Sequence, residues 1–87
     1  MTEDEARRDF EKWLYSHGFP DWKVKIINSG GGLCNLDAKE IWLDETHLNM
    51  VFFLHEVAHI KYHDHNFRWA DHYTKLMEDW LWEVRHP

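Results

Sequence analysis

Two histidines and a glutamate in Leu54-His55-Glu56-Val57-Ala58-His59-Ile60 carry the spacing HExxH. Four residues make just over one helical turn, so on a helix His55 and His59 project from one face and can reach one tetrahedral metal ion. Glu56 lies roughly 100° round the same helix from His55, beside a metal-bound water rather than on the metal itself. If the metal is zinc, that water is acidified towards a pKa of about 7. Glu56 is then the base that takes its proton as the oxygen attacks a carbonyl, and the acid that returns the proton to the leaving amine. Phe52, Phe53, Leu54, Val57, Ala58 and Ile60 surround the three polar residues, which predicts a central and mostly buried helix. Polar groups buried in such a setting need a partner, and a metal ion supplies one.

Two imidazoles and a water leave the coordination incomplete, so a third protein ligand is sought among His63, His65, Asp71, His72 and Glu78. His63 fails on geometry. On a continuous helix it would lie about 12 Å along the axis from His55, too far for one ion to bridge. His65 succeeds if the helix breaks after Tyr62 or His63 and the chain swings back, and Asp64 and Asn66 are capping residues suited to such a break. The spacing therefore favours His55, His59 and His65 as ligands, with Glu78 on the last helix as the alternative third ligand. His63 and His72 are then expected to face solvent. Asp71 and Asp79 are candidates to orient the ligand imidazoles, and Tyr62, His72 and Tyr73 to stabilise an oxyanion.

The elements that must position these groups follow from pattern. Residues 3–17 recur apolar at three- and four-residue steps (Ala6, Phe10, Trp13, Leu14), with Thr2 as N-cap and Gly18 as the stop, which predicts an amphipathic helix. Residues 22–28 alternate as a half-buried strand. Ser29-Gly30-Gly31-Gly32 reads as a tight reversal, because no helix with Lys or Ser/Thr follows to make it a phosphate loop. Residues 33–36 and 40–43 then give two more strands and an antiparallel meander. Asp44 or Thr46 is expected to cap the HExxH helix, and Phe67 to Val84 forms a last amphipathic helix. The expected fold is α+β: an N-terminal helix, a small three-stranded antiparallel sheet, the HExxH helix and a C-terminal helix, in one domain over 1–87.

Composition narrows the class. A chain of 87 residues buries only about 60% of its unfolded surface and is marginal without a staple. A disulfide cannot serve, since Cys34 is the only cysteine; six Trp and a bound zinc can. Cys34 is expected to pack as a small apolar residue, with a thiolate that caps the zinc as the less favoured alternative. A lone cysteine and an acidic start with no apolar run behind it predict a cytoplasmic protein, and no run approaches transmembrane length. The net charge of −6 argues against nucleic acid as the main partner.

The stretch HEVAHIKYHDHNFRWADHYTKLMEDW resembles the zinc core of the SprT-like and YgjP-type metallopeptidases: HE, two residues, H, five residues, H, and then an aromatic-rich helix. GGLCNLDAKEIWLDE is similar to the strand, turn and strand that precede the active-site helix in those families, so the resemblance covers roughly residues 22–82. It implies a minimal zincin-like scaffold and zinc-dependent hydrolysis of a protein or peptide substrate, with His55, His59 and His65 as ligands and Glu56 as base. It further implies that the strand Ile41 to Leu43 pairs with an extended substrate backbone. Tyr62 stands where the metzincin signature requires Gly, which argues against that family. Two other classes stay open: a zinc-stapled regulatory or protein-binding module of ImmA/IrrE-like type, and a metal-free aromatic-rich interaction module.

Overall fold

The computed structural model describes residues 2–87, so Met1 of the expected domain lies outside it. The elements run α1 (Glu3–Ser16), β1 (Lys23–Ile27), β2 (Leu33–Asn35), β3 (Glu40–Asp44), α2 (Met50–Lys61) and α3 (Phe67–Arg85). This is the expected α+β arrangement of three helices and a three-stranded sheet. The Thr2 hydroxyl accepts the Glu5 N–H at 3.1 Å and caps α1. Gly18, at φ +92°, takes the left-handed conformation that stops it.

The sheet differs from a meander. Its strand order is β1-β3-β2, with β1 parallel to β3 and β2 antiparallel to β3. A tight reversal at Ser29–Gly32 would have placed β2 against β1. Instead residues 28–32 cross the end of β3, where the Asp44 carboxylate accepts the N–H groups of Ser29 at 3.2 Å and Gly30 at 2.9 Å. The turn's donors are thereby spent on the far end of β3, and β3 occupies the middle of the sheet. Burial agrees with that order, since Ile41 and Leu43 are fully enclosed. Both edges of β3 are therefore taken, which overturns the expectation that Ile41 to Leu43 pairs with a substrate. The outer edge of β1 is partly covered, because the Glu11 carboxylate on α1 accepts the Val24 N–H at 2.9 Å. Among the described residues, the outer edge of β2 pairs with no strand.

Asp44 also explains why the HExxH helix starts later than expected. It is the last residue of β3 rather than a cap, and the other oxygen of its carboxylate accepts the N–H and hydroxyl of Thr46. The cap is Asn49, whose side chain accepts the Phe52 N–H at 3.1 Å. Below that cap α2 runs through the centre of the molecule: Phe53, Leu54, Val57 and Ala58 are buried, while Phe52 faces outward and Ile60 is half-buried. Phe53 stacks on Phe10 of α1 with ring centroids 4.5 Å apart and meets the edge of Trp13 at 5.5 Å. No helix among the described residues is long and apolar enough to cross a membrane.

Candidate metal centre

α2 ends at Lys61 and Tyr62 turns extended, so the chain leaves the helix axis one turn after His59. It re-enters helix at Phe67, where the Asn66 side chain accepts the Trp69 N–H at 2.9 Å. The short connection between them carries His65 back over the exposed face of α2. Its Nε2 lies 3.0 Å from His59 Nε2 and 3.0 Å from His55 Nε2. The ligand atoms of His55, His59 and His65 all fall within 4.8 Å of one another, close enough to bind one metal ion. The expected triad is thus brought together by a break that falls after Lys61, slightly earlier than the expected position after Tyr62 or His63.

The convergence is not explained by hydrogen bonding. An imidazole nitrogen offers either one proton or one lone pair along one axis, so His65 Nε2 cannot satisfy two neighbouring ring nitrogens at once. A cation at their focus accepts all three lone pairs. The His59 ring is already set for this, because its Nδ1 lies 3.0 Å from the Tyr62 carbonyl oxygen. The carbonyl can only accept, so Nδ1 carries the proton and Nε2 presents its lone pair. Burial, with the neighbouring His59 and His65 charges, lowers the His55 pKa and favours the neutral ring that a metal ligand needs.

Trp69 forms the floor of the site. Its ring centroid lies 4.7 Å from that of His55, 5.3 Å from His59 and 4.6 Å from His65, and the residue is buried. One rigid ring in contact with all three imidazoles limits how each can turn. Sequence pattern marks Trp69 only as an apolar position of the last helix. The available signal was its place in the first turn of the helix that restarts at the Asn66 cap, directly after His65. The outer-shell role expected of Asp71 and Asp79 is not theirs: Asp71 pairs with Lys75 at 3.1 Å on the surface, Asp79 is exposed, and the Tyr62 carbonyl orients His59 instead.

A cleft of about 290 Å³ opens over the triad. On one side stand the three histidines, Glu56 and His63; on the other are Gly32, Leu33, Cys34 and Leu36 from the β1–β2 loop, β2 and the turn after it. Glu56 is only 8% exposed, and burial raises its carboxyl pKa, with the His65 charge opposing. A carboxyl raised in this way is better matched to proton transfer near neutral pH than an ordinary surface glutamate. Burial, followed by the Glu56 charge, pushes the Cys34 thiol up to about 11. Cys34 is therefore a protonated wall residue, as the apolar expectation has it, and lies outside the ligand cluster.

The remaining candidates separate cleanly. Glu78 is exposed and outside the cluster. His63 is exposed as expected, yet it lines the cleft. His72 is half-buried rather than in solvent, edge-on to Tyr62 at 5.6 Å. The Tyr73 hydroxyl donates to the Val51 carbonyl at 2.9 Å, so its proton is committed away from the cleft. Tyr62, His72 and Tyr73 are all absent from the cleft lining, and His63 is the polar side chain in it besides the triad and Glu56. Comparison with known proteins finds no matching family model, no similar curated protein and no similar solved structure.

Proposed function

We propose that this chain is a zinc-dependent peptidase in which His55, His59 and His65 hold the metal and Glu56 is the catalytic acid and base. The observation that carries this reading is the meeting of three ligand nitrogens, rather than four, on the cleft where the buried Glu56 stands. Structural zinc sites are closed by four protein ligands, whereas catalytic sites keep a position for water or substrate. Imidazole donors suit zinc among other transition metals. The 3.0 Å nitrogen separations also lie near the edge of about 3.3 Å expected for a tetrahedron with zinc–nitrogen bonds near 2.05 Å.

When bound, zinc would polarise the scissile carbonyl and acidify the attacking water. The chain's own groups supply the rest. Glu56 takes a proton from the attacking water and hands it to the amine nitrogen as the peptide bond breaks. His63 is the further polar side chain of the cleft able to donate a hydrogen bond to the oxygen on which charge develops. The unpaired edge of β2 offers main-chain donors and acceptors to an extended substrate, in the role first expected of β3. Leu33 and Leu36, 47% and 38% exposed beside that edge, favour an apolar substrate side chain.

Glu56→Gln tests the reading, because it keeps the size of the side chain and removes the base. Zinc content, measured by atomic absorption, should stay at one per chain and the fold should persist. Hydrolysis of an unfolded protein should fall by a factor on the order of 1,000. If the zinc-loaded wild type cleaves nothing and spectroscopy of a cobalt-substituted site reports a fourth protein ligand, the site is a staple. The regulatory-module reading then replaces the peptidase.

A further inference from the structure

The three consecutive glycines of the β1–β2 loop look interchangeable in the sequence, but each answers a different demand. Gly30 has φ +74°, a left-handed conformation that other residues adopt only at a cost. Neither Gly31 nor Gly32 lies in the left-handed φ region, so a left-handed backbone does not account for glycine at either. A Cβ at position 31 would meet nothing within 4 Å. At position 32 it would lie 2.7 Å from Glu56 Oε2, 3.2 Å from Glu56 Cδ and 3.2 Å from the Trp42 carbonyl oxygen. A carbon cannot stand 2.7 Å from a carboxylate oxygen, so the approach of Glu56 is the tightest constraint on a side chain at 32, with the Trp42 carbonyl oxygen second.

From this contact we infer that Gly32 is a positioning residue, which sets where the Glu56 carboxylate stands in the cleft by leaving room for it against the β1–β2 loop. The inference rests on the peptidase reading for its consequence in catalysis, but the contact itself does not. The loop is a fixed wall. Asp44 holds its Ser29 and Gly30 N–H groups, and Trp42 belongs to the central strand, paired on both sides. A methyl group at position 32 therefore cannot retreat, and the Glu56 side chain is the part free to yield. The fold would tolerate that shift, because a long side chain can rotate. Proton transfer would not, since a displacement of about 1 Å at a catalytic group costs about 100-fold in rate.

The test compares Gly31→Ala, Gly32→Ala, Glu56→Ala and the double variant Gly32→Ala/Glu56→Ala in the full chain. Thermal melts of the zinc-loaded proteins come first, as a double-mutant cycle. Gly32→Ala should lower Tm by a few degrees in the wild-type background and by clearly less where Glu56→Ala has removed the closer contact, the remainder belonging to the 3.2 Å approach of the Trp42 carbonyl oxygen. An equal loss in both backgrounds overturns the proposal, because position 32 would then be constrained by something other than Glu56. If Gly32→Ala alone does not fold, folding of the double variant supports the proposal and its failure to fold overturns it. In the zinc-loaded proteins, with a carboxymethylated unfolded protein as substrate, Gly32→Ala should lower kcat about 100-fold with KM within about threefold, and Gly31→Ala should change neither. A wild type that cleaves nothing refutes the peptidase reading alone, and the melts still decide the contact.

Discussion

On the helical wall of the cleft, His55 and His59 stand one turn apart on α2 and His65 follows across a single break, with Trp69, in the first turn of α3, packed behind all three. On the facing wall, Gly32, Leu33, Cys34 and Leu36 come from a loop, an edge strand and a turn far earlier in the chain. The first wall is local. Its geometry follows from the rise of a helix, one capped restart and one aromatic ring, and its four rings touch one another. The second wall is assembled at a distance, by Asp44 catching the loop and by β3 inserting between β1 and β2. The difference suggests a division of labour. The local wall supplies all three side chains of the candidate metal site, whereas the remote wall determines where Glu56 stands and what lies opposite it.

The sharpest way to break this division is at the local wall. His65→Ala removes the only member of the histidine triad that is not on α2 and should weaken zinc binding by at least about 100-fold, measured by competition with a chelating dye. Glu78→Ala should leave the affinity unchanged. If Glu78→Ala is the damaging change instead, the metal is held from α3 and the local wall is incomplete.

A milder change in the same wall concerns its floor. Among the described residues the buried Trp69 indole nitrogen has no hydrogen-bond partner, so Trp69→Phe removes no hydrogen bond between them and alters ring area beneath the imidazoles. Zinc affinity should fall about tenfold, the lower end of what outer-shell changes cost. No change in affinity would mean that the histidines hold their orientation without the indole.

The remote wall should respond to pH rather than to metal. Hydrogen bonds from Thr46, Gly30 and Ser29 hold the Asp44 carboxyl at about 2, below the ordinary carboxylate range. A folded-state pKa below the unfolded one stabilises the native state at every pH above the unfolded value. That contribution is lost as pH falls from about 4 towards 2. Asp44→Asn keeps one acceptor but gives up the charge, and should lower the Tm of the metal-free protein by about 5 °C at pH 7. The gap should close by pH 2, and a gap that persists there would show that Asp44 acts by shape alone. Zinc affinity at neutral pH should change less than with Trp69→Phe, which is what separates the two walls.

The parts of this molecule governed by short-range periodicity could be read from residue order. Thr2 as a cap, Gly18 as a stop, the amphipathic faces of α1 and α3, and the spacing of His55, Glu56 and His59 all depend on neighbours within about one helical turn. His65 could be reached because Asp64 and Asn66 signal the break beside it. Partner choice between strands has no such local signature. A run of three glycines permits a hairpin and a crossing loop equally well, and the crossing loop formed because the buried Asp44 carboxylate accepts the N–H groups of Ser29 and Gly30 at the far end of β3. The same capture took Asp44 away from the start of α2 and left the cap to Asn49. Only the folded chain brings Gly32 against Glu56 and Trp69 beneath the histidines, because steric contacts between residues remote in sequence exist only once the elements carrying them have packed.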